Sequence, residues 1–139
     1  MISEMKNSFN SEASVIVRDI QLNHPRVKNE KVRELKKLDP TLGIYTKLVN
    51  IFHVELSNRI PEMKSFCHSG DFKNLSCVIH RFKSTTYNLG ASRAVELTKA
   101  LETAILRKAS QVEMKQLIAV LEEECLDAYE ELLTYLVKT

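Results

Sequence analysis

The sequence predicts an all-α protein: an antiparallel up-and-down four-helix bundle with additional N-terminal helical segments. Three observations carry that reading. Only 3 glycines and 3 prolines occur in 139 residues, whereas an all-β fold needs turn residues about every 8–12 positions. Apolar residues recur at spacings of three and four over long stretches, the period of a helix buried on one face. The polar breaks between these stretches are short, so helices consecutive in sequence should lie antiparallel. The length suits one domain, and 44% hydrophobic with 27% charged residues is the balance of a folded chain rather than a disordered one.

Residues 1–10, MISEMKNSFN, are polar and expected to fray. Residues 11–22 form a short helix with Val15, Ile16, Ile20 and Leu22 apolar and Ser11 or Ser14 as its cap. Pro25 ends it, because the residue before a proline is pushed out of the helical region. Residues 1–26 are thus read as an N-terminal extension, and residues 27–139 as the bundle. EKVRELKKL at 30–38 is a second short helix, closed by Asp39-Pro40. From Thr41 the pattern lengthens: Leu42, Tyr45, Leu48, Val49, Phe52, Leu56 and Ile60 share one face. Pro61 should kink or end that helix near Asn58, with a further turn or two carrying Met63 and Phe66 before Ser69-Gly70. Asp71 is a good cap for the next helix, which presents Leu75, Val78, Ile79, Phe82, Thr86 and Leu89 and stops at Gly90. Ser92 caps another, with Val95, Leu97, Leu101, Ile105 and Leu106 inside. The last runs from about Gln111 to Val137 on Leu117, Val120, Leu121, Cys125, Ala128, Leu132, Leu133 and Leu136.

Charge and cysteine content narrow the function classes. The net charge is +2. Residues 1–90 hold 14 Lys/Arg against 9 Asp/Glu, and residues 91–139 hold 6 against 9. No dense basic stripe for nucleic acid appears; the run Lys28, Lys31, Arg33, Lys36, Lys37 is interrupted by Glu30 and Glu34 and reads as a solvated helix face. The acidic run Glu122-Glu123-Glu124 reads the same way. Cys67, Cys77 and Cys125 cannot all pair within one chain, which suits a reducing compartment. With no signal-peptide pattern and no apolar run long enough to span a bilayer, a cytoplasmic protein without a membrane partner is expected.

Residues 80–91, HRFKSTTYNLGA, hold the chemistry. On a wheel of about 100° per residue, Leu75, Ile79, Phe82, Thr86 and Leu89 fall within about 40° of one direction. His80 falls about 140° away, on the wet face, among Lys73, Ser76, Lys83, Ser84 and Tyr87. Ser76 and Ser84 lie four residues to either side of it and Lys83 three beyond, the spacings at which helix side chains meet. Small neighbours leave room for another molecule to reach the ring. A lysine one turn on can neutralise an anion held there. Neutral imidazole is a good nucleophile near neutral pH, and phosphorus is an electrophile it can attack. Cys77 and His80 are spaced for a shared metal, but two ligands are not a site. His24, His53 and His68 stand in no motif, and His53, beside Phe52, reads as partly packed. Lys83-Ser84 is no phosphate-cradling loop, since no glycine run precedes it.

His80-Arg81-Phe82-Lys83-Ser84 followed by Leu89-Gly90-Ala91 resembles the core motif of histidine-containing phosphotransfer (HPt) domains, roughly His-x-Leu-Lys-Gly/Ser, small residues, then Leu-Gly-Ala. Leu38-Asp39-Pro40 resembles the way the family's bundle begins. Ile51-Phe52 with Glu55-Leu56, Gly70-Asp71 with Leu75, and Leu101-Glu102 resemble further family blocks, so the similarity spans roughly residues 27–138. Phe82 stands where Leu is usual, and Tyr87 where the family often has a small residue.

The resemblance implies a four-helix bundle that accepts a phosphoryl group from the aspartate of one receiver domain on His80 and passes it to the aspartate of another, with Lys83 stabilising the phosphate. Lys73, Ser76, Ser84 and Tyr87 would form the docking face. The partners implied are receiver domains of hybrid sensor kinases and response regulators. No cofactor is expected on this chain; Mg²⁺ is expected on the receiver. With no nucleotide loop the protein would be a carrier without ATP-dependent kinase activity, acting as a monomer. A different class stays open: a helical adaptor that docks receivers or partner helices without taking phosphate. A metal-sensing bundle has too few ligands.

Overall fold

The computed structural model describes residues 12–137. It contains six helices: α1 (Glu12–Asn23), α2 (Asn29–Leu38), α3 (Gly43–Ser69), α4 (Phe72–Asn88), α5 (Ser92–Leu106) and α6 (Gln111–Val137), with no strand among the described residues. The expected fraying of residues 1–10 and a cap at Ser11 lie outside them.

Helices α3 to α6 close a ring in which α3 packs on α4, α4 on α5, α5 on α6 and α6 back on α3. The side-chain bonds between α3 and α6 show that these two run in opposite directions. Tyr45, early in α3, donates its hydroxyl to the Leu132 carbonyl late in α6 at 2.7 Å. Farther along, Lys64 meets Glu122 at 2.8 Å. At the end of α3, Gln111 donates to the carbonyls of Cys67 at 2.6 Å and His68 at 3.0 Å, satisfying groups that a helix C-terminus leaves without an internal partner.

The core lies inside the ring. Tyr45, Phe52, Ile60, Met63, Leu75, Ile79, Phe82, Leu101, Leu117 and Leu121 are all buried, each contributing about 1.5–3 kcal/mol of apolar burial. The whole face expected for α4 is buried, from Leu75 to Leu89. In α6 the buried set also takes in Met114 and Ile118, while Val120, Leu133 and Leu136 pack at its edge.

Four expectations are corrected. Pro61 does not end α3, which runs unbroken to Ser69. Ile60 and Met63 beside it are buried while Pro61 and Ser57 are exposed. The Ser57 carbonyl, deprived of its donor by the proline, therefore lies on the solvent side, and packing on both flanks holds the helix together. Leu42 is not in the helix: it precedes α3 in a left-handed conformation, φ 63°. The turn before it is built by Asp39, which accepts from the Thr41 amide at 3.0 Å and hydroxyl at 2.6 Å. Ser92 is not the cap of α5, and Ser14 is not that of α1. Ala91 holds the cap position of α5, Ser92 is buried in its first turn, and Ser14 sits within α1. Lastly, Val15, Leu22 and Leu106 are exposed. α1 docks through the expected Ile16 and Ile20, joined by Ala13 and Val17 rather than by Val15 and Leu22.

The acidic run on α6 also divides. Glu123 is exposed and Glu122 pairs with Lys64, but Glu124 is buried. It lies 3.6 Å from Arg26 and 3.5 Å from Arg93. Arg93 continues to the chain end of α1, donating to the carbonyls of His24 at 2.9 Å and Gln21 at 3.2 Å. Burying a charge is tolerable only when it is paired in this way, and the pairing ties α1 and the segment after it to α5 and α6.

Candidate functional site

Helix α4 is set at both ends by local chemistry. Gly70, at φ 75°, lets the chain leave α3, with its amide bonded to the Cys67 carbonyl and that of Asp71 to Phe66. The Asp71 carboxylate then receives the Asn74 amide at 3.3 Å, a side-chain cap. At the far end Gly90, at φ 70°, closes the helix, with the Ala91 amide on the Thr86 carbonyl at 3.0 Å. A second constraint acts on Gly90: a Cβ there would lie 2.8 Å from that of Lys31. The Lys28 amide donates to the Gly90 carbonyl at 2.9 Å. The Leu-Gly-Ala run is thus explained residue by residue. Leu89 and Ala91 are buried, and Gly90 is where α2 presses on the α4–α5 turn.

Between these ends His80 stands midway along α4 with its side chain 71% exposed. The orientation expected from the wheel is the one observed. Its Nδ1 lies 3.4 Å from Oε2 of Glu102 on α5, and the other carboxylate oxygen accepts from Lys83 Nζ at 2.8 Å. One carboxylate therefore joins the imidazole to the lysine one turn on. Glu102 is held below the ordinary glutamate range. Partial burial pushes it up, but the hydrogen bonds from Lys83 and His80, together with their positive charge, outweigh that.

The residues grouped around His80 by sequence fall into two hollows. Lys73 and Ser76 line a shallow one with His80, Glu102, Phe72 and Ile105. Ser84 and Tyr87 open instead onto a groove whose far wall is Lys28 and Lys31. Tyr87 is exposed, and Lys31 Nζ lies 5.9 Å from its ring centroid. Glu102 went unassigned by sequence reasoning, as did the Phe72–Ile105 floor and the Lys28–Lys31 wall. Leu101-Glu102 was visible as a family-like block. A helical wheel, however, reports which face a residue shares and never which neighbouring helix it meets.

Other candidates carry less. His53 is exposed, its ring centroid 4.5 Å from that of Tyr129; His24 lies 3.8 Å from Glu96. Among the described residues no group of three or more His, Cys, Asp or Glu could hold a metal ion, and no helix is long and apolar enough to cross a membrane.

No curated protein and no solved structure compared with the chain matches it. The family model for the Hpt domain matches residues 47–135, more than half of the chain and the whole of α4 and α5. An all-helical bundle, an exposed histidine on its second long helix and that match lead to one conclusion: this chain belongs to the Hpt domain family, which serves phosphotransfer in two-component signalling.

Proposed function

We propose that His80 is the residue that carries the phosphoryl group, taken from the aspartyl phosphate of one receiver domain and delivered to the aspartate of another. The observation that supports this best is the line of three groups on the exposed face: imidazole, carboxylate, ammonium. A neutral imidazole that keeps its proton on Nδ1, donated towards Glu102, leaves the lone pair of Nε2 for attack. The attack is an in-line displacement. The Nε2–phosphorus bond forms, the bond from phosphorus to the aspartate oxygen breaks, and the carboxylate leaves with its electron pair. Glu102 balances the positive charge that develops on the ring. Lys83, a turn away, meets the phosphoryl oxygens once they arrive. Mg²⁺ on the receiver screens the remaining charge. Both phosphorylated forms are high in energy, so the transfer runs in either direction.

The test is radiolabel transfer. The protein should be labelled from phosphorylated receiver domains of hybrid kinases or response regulators and not from ATP alone. The label should be lost in acid and kept in base. His80→Gln should abolish labelling while leaving the fold and receiver binding intact; a labelled His80→Gln protein would replace this reading with the non-phosphorylated adaptor.

A further inference from the structure

Apart from Lys83, the residues that line the groove next to His80 have no role in the transfer step just described. The groove has a volume of about 410 Å³ and lies between the start of α2, the last turn of α4 and the first turns of α5. Four lysines line it, Lys28, Lys31, Lys83 and Lys99, against a single carboxylate, Glu96. Glu96 is already engaged by Lys99 at 3.0 Å, and Lys83 by Glu102 from outside the groove. Lys28 and Lys31 have no carboxylate partner among the described residues; Lys31 reaches only the face of Tyr87. A cleft with this balance concentrates positive potential and selects an anionic occupant.

Its position says which occupant. Ser84 and Lys83 belong both to this groove and to the face around His80. At a rise of about 1.5 Å per residue, Tyr87 stands only about 10 Å along the helix axis from His80. A protein that brings an aspartyl phosphate in line with His80 covers about 800 Å² of this surface, and so covers the groove as well. That partner holds a divalent ion with carboxylates, so the surface around its phosphorylated aspartate is rich in them.

We infer that the groove is a docking site for the acidic rim of the receiver's phosphorylation site, with Lys28 and Lys31 around the start of α2 supplying its charge. The inference rests on the phosphotransfer reading above. It gives the segment before α3 a part in choosing partners that the four-helix bundle alone does not have. Association with a receiver should be faster and tighter at low salt through this wall.

The experiment compares wild type with Lys28→Glu/Lys31→Glu and with the milder Lys28→Gln/Lys31→Gln, each checked for an unchanged helical spectrum. The receiver domain that labels wild type fastest is the binding partner. Receiver affinity should fall at least 10-fold for the Glu pair at about 50 mM salt and by less for the Gln pair, and the gap to wild type should narrow at about 500 mM. Direct labelling of His80 by phosphoramidate, which needs no docked protein, reports the nucleophile separately and should persist in both. Receiver affinity within twofold of wild type at low salt would overturn the docking site, as would a loss that salt does not diminish. Tight binding of inorganic tripolyphosphate with receiver affinity unchanged would assign the groove to a small anion and overturn it too. If instead phosphoramidate labels His80 but no receiver does, the phosphotransfer reading fails and takes the docking site with it.

Discussion

Lys83 Nζ sits 2.8 Å from Glu102 Oε1 across the α4–α5 interface, and the second oxygen of the same carboxylate faces His80. The cation expected to meet a phosphoryl group is therefore already occupied before the phosphoryl group arrives. Glu102→Gln should free Lys83 and remove a negative charge from beside the incoming phosphate. We expect a longer-lived phosphohistidine and slower onward transfer, each by about 3- to 10-fold, a change of about 0.7–1.4 kcal/mol. Lys83→Ala should shorten the lifetime. Decay of isolated phosphoprotein, measured for both variants, checks the opposite signs.

The same pair has a pH signature. Glu102 is held below its ordinary value of 4.5, so it binds a proton less readily in the folded protein than in the unfolded one. Its stabilising contribution is complete above about pH 5 and is lost as pH falls through its folded value. Urea melts of wild type and Glu102→Gln should differ by about 0.5–1 kcal/mol at pH 6. The two curves should converge as pH falls through the lowered folded value of Glu102.

Gly70 and Gly90 share a positive φ, at 75° and 70°, yet should not tolerate alanine equally. Around Gly70 a Cβ meets nothing within 4 Å, whereas at Gly90 it meets the Lys31 side chain at 2.8 Å. Gly70→Ala should cost about 1 kcal/mol for the left-handed backbone alone. Gly90→Ala should cost about 1–2 kcal/mol more and loosen α2, read as faster amide exchange at Lys28, whose amide bonds to the Gly90 carbonyl.

Removing the Glu124 carboxylate leaves Arg93 with the carbonyls of His24 and Gln21 and Arg26 with Asp127 at 3.9 Å. A fully buried pair broken from one side costs about 3–5 kcal/mol. Here Arg26 and Arg93 keep 35% and 21% of their side-chain surface in water, so Glu124→Ala should cost about 2 kcal/mol. It should also open the chain to protease near residues 23–28 while α3 to α6 stay protected.

The three thiols should separate cleanly. Cys67 and Cys125 are buried, and burial pushes both thiols up from the usual range. Cys77 is exposed and lines the same hollow as His80. Maleimide should modify one site in the native protein and three in denaturant. A bulky adduct on Cys77 should slow labelling by a receiver, which is measurable on the same sample.

Periodicity within a single helix was enough to orient α4. A 3.6-residue repeat leaves one direction for Leu75, Ile79 and Phe82, and so places His80 in water before any tertiary contact is known. The turns at Gly70-Asp71 and Leu89-Gly90 were legible for a similar reason: positive φ and side-chain capping are local, and a few adjacent residues specify them. What depends on a second helix was not legible. The fate of Pro61 turned on packing at Ile60 and Met63. The burial of Glu124 turned on Arg26 and Arg93, distant in sequence, and the inward face of α1 on the shape of α5 and α6. Glu102 beside His80 and Lys83, and the lysine wall that α2 sets against Tyr87, arise only when helices meet. A carboxylate at one wheel position is the same letter whether it faces solvent or an ammonium group on a neighbouring helix, and only the packed bundle distinguishes the two.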